Sequence, residues 1–280
     1  MIWQTRTRTF DLARRGVIMG VLNVTPDSFS DGGQWLDVDA AVAHGAEMVE
    51  EGAEILDIGG ESTRPGAEPV PEAEELRRVL PVLQRLAALP GHGERFVLSI
   101  DTMKAVVARA AVAAGASIIN DVGGVRDAEM LLAAKETGAA LVVMHMQGSP
   151  PTMQLAPHYE DVVREVGDFL CATLTRCVEC GVPATKIAVD PGIGFGKTVE
   201  HNLALLRRLP EVSPHGPLVL GVSRKGFLGK VTGTTAVADR FWPTVALTSY
   251  GRERGARIFR VHDVKSNWEA LRMTEAILEE

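Results

Sequence analysis

The stretch "GVIMGVLNVTPDSFSDGG", Gly16 to Gly33, begins as an apolar run, reaches Asn23, and then passes through polar and glycine-rich positions. A hydrophobic period resumes only in "WLDVDAAVAHGAEMVEEG". There Trp35, Val38, Ala41, Val42, Gly45 and Val49 fall three and four residues apart, the spacing of one helical face. The segment therefore reads as a strand, a long loop and a helix. Loops of that length inside a compact domain are usually functional, so "TPDSFSDGG" is expected to cover a ligand.

The same unit recurs along the chain. "RGVIMGVLN" ends at Asn23, "AEILDIGGEST" at Asp57 to Thr63, "RFVLSIDT" at Asp101, and "ASIINDVGG" at Asn120 and Asp121. "AALVVMHMQG" ends near His145, "KIAVDPG" at Asp190, "PLVLGVSRKG" at Ser223 to Lys225, and "ARIFRVHDV" at Arg260 to Asp263. These are continuous apolar runs, the pattern of parallel strands covered on both faces. Amphipathic helices lie between them, and Pro81 in "PEAEELRRVLPVLQRLAAL" is expected to kink that helix or divide it in two. Eight such units in 280 residues predict an α/β fold, a (β/α)8 TIM barrel. It would form a single domain over residues 1–280, with "WQTRTRTFDL" as a short N-terminal hairpin across the bottom. A doubly wound open sheet is the competing architecture, disfavoured because no switch point interrupts the regular repeats.

In such a barrel the active site lies at the carboxyl ends of the strands, where all of these polar residues fall. Asp101, Asn120 and Asp190 form one set. Desolvated acids at a barrel mouth need donors, from the protein or from a ligand carrying several N–H groups. Each could instead cap the helix that follows it, but three together make capping a poorer account. Arg64, Lys225, Arg260 and His262 form a second set, with Asn23 nearby by topology. Cations converging from several βα loops make an anion site, and the glycines of "GGESTRPG" and "SRKGFLG" let backbone N–H groups approach closely.

Composition narrows the partners. The chain is 46 % hydrophobic and 5 % aromatic, carries a net charge of −7, and scatters its Lys and Arg, which argues against nucleic acid or a membrane surface. No segment has the length of a signal peptide core or a bilayer span, so a cytoplasmic location is expected. Cys171, Cys177 and Cys180 do not make a disulfide framework. The C-x-x-C they contain lacks a second Cys/His pair at zinc-ribbon spacing, so helix packing or surface thiols is the expected role.

Two motif readings fail on register and a third on its surroundings. "PGIGFGKT" ends like a phosphate-binding P-loop, yet Pro191 stands where G-x-x-x-x-G-K needs glycine and lacks the N–H a phosphate cradle would use. Gly192, Gly194 and Gly196 alternate, so no G-x-G-x-x-G opens the next helix. Ser223, His262 and Asp263 could supply a hydrolytic triad, but no nucleophile elbow surrounds the serine.

Taken in order from Leu22 to Val264, "LNVTPDSFSDGG", "DIGGESTRPGA", "SIDT", "INDVGG", "MHMQGSPPTMQ", "DPGIGFGK", "GVSRKGFLG" and "RVHDV" resemble the motifs of dihydropteroate synthase, the folate-pathway barrel family targeted by sulfonamides. "SIDT" alone is weak, whereas "LNVTPDSFSDGG" with "GESTRPGA" is highly specific. The departures, Met103 and Ala105 and the pair Gly226-Phe227, remove no matched functional residue.

The resemblance implies a transferase that condenses 6-hydroxymethyl-7,8-dihydropterin pyrophosphate with p-aminobenzoate, giving 7,8-dihydropteroate and pyrophosphate. It implies that Asp101, Asn120 and Asp190 bind the pterin ring, that Lys225 and Arg260 close over it, and that Thr63 lies beside it. Asp101, Asp190, Lys225 and Arg260 would be the catalytic group. Asn23, Arg64, Arg260 and His262 would bind pyrophosphate, with Asn23 also a ligand of Mg²⁺. Phe29, Arg64, Pro65, Phe195, Ser223 and Lys225 would form the p-aminobenzoate site. The family is usually homodimeric through its outer helices. The runner-up is the pterin-binding methyltransferase barrel of corrinoid enzymes, which should lack the Ser62-Thr63-Arg64-Pro65 loop and the Ser223-Arg224-Lys225 segment. A non-catalytic pterin-binding paralogue is the third reading, and intact Asn23, Lys225, Arg260 and His262 speak against it.

Overall fold

The computed structural model describes residues 1–25, 34–64, 66–212 and 216–278. Strands β1 (Ile2–Gln4) and β2 (Thr9–Asp11) pair antiparallel as the expected hairpin. There follow β3 (Val17–Asn23), α1 (Gln34–Glu50), β4 (Ala53–Gly59), α2 (Glu72–Ala87), β5 (Val97–Asp101), α3 (Ala105–Ala113), β6 (Ala116–Asp121) and α4 (Ala128–Thr137). Then come β7 (Ala140–Met144), α5 (Val162–Cys180), β8 (Ile187–Asp190), α6 (Val199–Arg207), α7 (Leu209–Val212), β9 (Val219–Leu220), α8 (Gly226–Thr232), α9 (Phe241–Glu253), β10 (Ile258–Val261) and α10 (Val264–Leu278).

Strands β3 to β10 form one 8-stranded sheet in the order β8-β7-β6-β5-β4-β3-β10-β9, and the pairs within it are parallel. Its two edges meet through a parallel bridge between Val189 and Leu218, where Val189 N–H donates to Pro217 O at 2.9 Å. The sheet thus closes into the expected barrel. The doubly wound alternative is excluded, because an open sheet would leave β8 and β9 apart.

The strands are buried on both faces because apolar side chains serve two cores. Residues such as Leu22, Leu56, Ile58, Leu98, Ile100 and Leu141 point outward and pack against the helices. Val17, Met19, Ile55, Val97, Ile118, Val142, Ala188, Val219 and Ile258 point inward, and Trp3, Phe10 and Leu12 join them to plug the lower end. The hairpin is pinned there by the Trp3 indole N–H, which donates to Lys186 O at 3.2 Å. Helix ends follow local chemistry: Asp127 and Asp161 accept first-turn N–H groups of α4 and α5, and Thr198 with His201 closes a capping box on α6.

The expected division at Pro81 does not occur, and α2 runs continuously through it. Val79, Val82, Leu83 and Leu86 are buried on both sides of the proline, and their contact with the sheet outweighs one missing backbone hydrogen bond. The three cysteines are free thiols, with Cys177 buried on α5 and Cys171 exposed. Burial pushes the Cys177 thiol up to about 11, as suits a packing residue.

Candidate active site

Alternation along the strands builds the site. Successive side chains of a strand point to opposite faces, so every second residue after an inward apolar one also points inward. Ile55 is followed by Asp57, Val97 by Ser99 and Asp101, Ile118 by Asn120, Ala188 by Asp190, Val219 by Gly221 and Ile258 by Arg260. The apolar plug is therefore topped by a polar layer at the strands' carboxyl ends. Asp57, Asp101, Asn120 and Asp190 are all buried in it. Gly221 leaves the space above open, since a Cβ there would stand 3.5 Å from Asp190 Oδ2 and 3.9 Å from Lys225 Nζ.

Within this layer Arg260 Nε donates to Asp57 Oδ2 at 2.7 Å and a terminal nitrogen donates to Asp101 Oδ2 at 2.6 Å. Asn120 Nδ2 donates to the same Asp57 oxygen at 2.9 Å. Asp190 Oδ1 accepts from Gly192 N–H at 2.7 Å. Asp57 Oδ1 and Asp101 Oδ1 are buried with no hydrogen-bond partner among the described residues. Helix capping fails as an account of this set: α3 begins after Lys104, and neither Asp101 nor Asn120 bonds to a helix N-terminus. What remains is a floor of acceptors that a flat ligand with several N–H groups could complete.

The cations stand around that floor. Lys225 Nζ donates to Ile193 O and lies 4.6 Å over the Phe195 ring. His262 Nδ1 is 2.9 Å from Ser223 Oγ, which also accepts from His262 N–H at 3.1 Å. In the tautomer where the serine hydroxyl donates to Nδ1, Nε2 carries the hydrogen and His262 is a donor. Ser223 and His262 meet, but Asp263 is held by Arg224 at 2.5 and 3.1 Å, so no third member orients the imidazole and no hydrolytic triad forms. Asn23 Oδ1 faces the same mouth: a Cβ on Gly59 would lie 3.7 Å from it and 3.8 Å from Asp101 Oδ2.

The model for the pterin-binding enzymes matches residues 19–262, from within β3 to the end of β10. The chain belongs to the pterin-binding enzyme family. It is 45 % identical over 264 residues to the dihydropteroate synthase of Escherichia coli (strain K12), covering 93 % of this chain and 91 % of that one. Among solved structures it is similar to the Yersinia pestis dihydropteroate synthase with a sulfonamide drug complex, at TM-score 0.91 and 42 % identity, covering 99 % of each chain. It is also similar to the Xanthomonas albilineans dihydropteroate synthase in complex with 7,8-dihydropteroate, at TM-score 0.88 and 41 % identity over 100 % of both chains.

The family's barrel therefore brings together Asp101, Asn120, Asp190, Lys225 and Arg260 at one mouth, with Asn23, Ser223, His262 and Phe195 at its rim. Thr63 and Arg64 lie beyond β4, half-buried and exposed respectively, and Arg64 is near enough to oppose protonation of His262. Phe29 and Pro65 lie outside the described residues. Asp57 went unassigned in the sequence, where it serves only to mark the end of a strand. Its signal was present, because a charge two residues after Ile55 in an apolar run must share the inward face.

Electrostatics follow from burial. Desolvation drives the Asp101 carboxyl up to about 7 against the opposing pull of Arg260, and raises Asp190 as well. Burial works against charge on Arg260 too, but Asp57 and Asp101 beside it hold the guanidinium protonated. Burial lowers Lys225 to about 8, and burial with Arg260 nearby lowers His262 to about 3, so His262 is neutral at working pH.

Proposed function

We infer that this chain catalyses the dihydropteroate synthase reaction, condensing 6-hydroxymethyl-7,8-dihydropterin pyrophosphate with p-aminobenzoate to give 7,8-dihydropteroate and pyrophosphate. The observation that carries the reading is the acceptor floor of Asp101, Asn120 and Asp190 beneath Lys225 and Arg260, in a chain of this family. The unsatisfied Asp101 oxygen and the buried Asp190 carboxylate suit the amino and ring N–H groups of a pterin. The Arg260 guanidinium, fixed by two carboxylates, offers a planar surface for the ring. Lys225 supplies a further charged donor to the ring edge, and Thr63 stands beside the pocket.

In the reaction the C–O bond to pyrophosphate breaks and the aniline nitrogen bonds to the exocyclic carbon, losing a proton. Departure of pyrophosphate needs positive charge and N–H donors at its oxygens, for which Arg64 and Arg260 supply charge and the neutral His262 a donor. The electron-rich pterin delocalises the charge left on its methylene, and the carboxylates of Asp101 and Asp190 favour that charge. The aniline then needs orientation more than activation. Phe29, Arg64, Pro65, Phe195, Ser223 and Lys225 are assigned to hold it.

Mg²⁺ is proposed as the cofactor, and the residues fit it in one way. Among the described residues no group of three or more His, Cys, Asp or Glu could hold a metal ion unaided. The Asn23 carbonyl oxygen is a hard donor at the mouth, and Mg²⁺ characteristically takes one or two protein oxygens and completes its shell with phosphate and water. When bound it would neutralise the departing pyrophosphate.

Residues 1–280 are read as one domain acting in the cytoplasm on small-molecule substrates, as a homodimer. Among the described residues no helix is long and apolar enough to cross a membrane, and the exposed apolar side chains Trp242, Met273 and Ile277 on α9 and α10 supply surface for a second copy. The deciding experiment is incubation with both substrates and Mg²⁺. Dihydropteroate and pyrophosphate should appear in equal amounts, and absence of dihydropteroate with folded protein overturns the reading.

A further inference from the structure

The loop "PGIGFGK", Pro191 to Lys197, connects β8 to α6 and presents Phe195. Consecutive carbonyl oxygens along it each accept from a side chain. Lys225 Nζ donates to Ile193 O, Gln154 Nε2 to Gly194 O at 2.6 Å, Lys197 Nζ to Phe195 O at 3.0 Å, and the Tyr159 hydroxyl to Gly196 O at 2.9 Å. The alternating glycines make this possible. Gly192, Gly194 and Gly196 have φ of 65°, 84° and 62°, and a Cβ would fall 1.8 Å from His145 O at Gly192 and 2.5 Å from Gln147 O at Gly196. A phosphate cradle points N–H groups at its ligand. This loop instead commits its carbonyls to donors.

Lys197 is the unusual donor. It is only 2 % exposed, and no carboxylate lies within ion-pair distance of it among the described residues. Its other partners are His145 Nδ1 at 3.0 Å and His145 O at 3.5 Å. Burial lowers the amine to about 7, while burial and the neighbouring Lys197 lower His145 to about 3, so the imidazole stays neutral and accepts. The Lys197 nitrogen thus ties the end of β7, at His145, to the backbone of Phe195. The Phe195 ring packs on Val122, Met144, Met146 and Met153, with Lys225 above it.

We propose that Lys197 is a positioning residue for the aryl amine substrate: it clips Phe195 to the end of β7 and so sets the ring against Lys225. Gln154 and Tyr159, from the segment between β7 and α5, fix the neighbouring carbonyls in the same way. The proposal rests on the reading that Phe195 faces p-aminobenzoate. Its bonds are to His145 and to the Phe195 carbonyl, so the role assigned to it is exerted through Phe195.

Steady-state kinetics on the full chain test it with Phe195→Ala, Lys197→Met, Tyr159→Phe and the two double variants that include Phe195→Ala. Losing a buried donor to a backbone carbonyl should raise KM for p-aminobenzoate about tenfold in Lys197→Met and about threefold in Tyr159→Phe. KM for the pterin pyrophosphate should change by less than about threefold, since Lys197 bonds to no residue of the pterin floor and reaches Asp190 and Lys225 only through space. In the Phe195→Ala background neither substitution should add further loss, because both act through that ring. If Phe195→Ala alone leaves the p-aminobenzoate KM unchanged, the underlying assignment of Phe195 is wrong. If Phe195→Ala raises it but the other two do not, or both KM values rise together, or the losses multiply in the doubles, Lys197 is not a positioning residue. Should Lys197→Met fail to fold, Lys197→Gln, which keeps a donor but is too short to span His145 and Phe195 O together, carries the same expectation, and an unchanged p-aminobenzoate KM in that variant overturns the proposal.

Discussion

Asn120 and Arg260 are joined through a single atom, Asp57 Oδ2, which accepts from Asn120 Nδ2 at 2.9 Å and from Arg260 Nε at 2.7 Å. One buried carboxylate thereby orients the amide of the ring floor and the guanidinium above it. Replacing Asp57 with Asn keeps the shape but sets an amide nitrogen where an acceptor is needed. The loss should be about 2 kcal/mol, or about thirtyfold in kcat/KM for the pterin substrate, with the circular dichroism spectrum unchanged. Near-native kinetics would show that Asp57 only fills space.

The basic limb of the pH profile should belong to Lys225. Burial brings its amine down to about 8, so the charge is present below that pH and is lost as the pH rises through it. A plot of log kcat/KM for the pterin pyrophosphate should bend downward near pH 8. In Lys225→Arg, whose guanidinium stays charged, the bend should move beyond the measurable range even if the plateau is lower. A bend at the same pH in that variant would assign it to another group.

His262 should discriminate between the leaving group and the ring. With its Nδ1 engaged by Ser223, the neutral imidazole offers Nε2–H to an anion. His262→Ala should therefore weaken the pyrophosphorylated pterin by about 1.5 kcal/mol, roughly tenfold, and leave the bare hydroxymethyl compound within about twofold. Calorimetric titration with both compounds measures the difference. Equal losses would mean that His262 supports the pocket generally.

Far from the mouth, Glu275 on α10 gathers the bottom of the barrel. Only 3 % exposed, it accepts from Gly16 N–H at 2.5 Å, Arg252 Nε at 2.9 Å and an Arg272 terminal nitrogen at 2.5 Å. Glu275→Ala leaves the buried Arg252 uncompensated and should cost about 3–5 kcal/mol in urea unfolding. Both KM values should stay unchanged at temperatures where the variant is folded, because the site lies at the opposite ends of the strands. A loss below about 1 kcal/mol would show that water replaces the carboxylate.

The sequence by itself determined the repeat of strand and helix, the parallel sheet and the strand ends where chemistry would lie, because these depend on local periodicity and on the connection rules of parallel strands. It also held the family's motifs, which singled out Asp101, Asn120, Asp190, Lys225, Arg260 and His262 as candidates one by one. What it could not supply was the pairing among them. Asp57 became part of the site only when barrel closure set β4, β6 and β10 around one axis, so that three residues up to 203 positions apart share one oxygen. The same holds for Lys197 and Phe195, whose clip to His145 depends on a backbone path through left-handed glycines that no hydrophobic pattern encodes. Pro81 teaches the converse: a strong local signal for breaking a helix was overruled by the burial of Val79, Val82, Leu83 and Leu86 around it. Periodicity is written in neighbouring residues and can be read from them. Hydrogen bonds between distant side chains, and the balance of burial against local preference, are fixed only when the barrel closes and brings those groups within reach of one another.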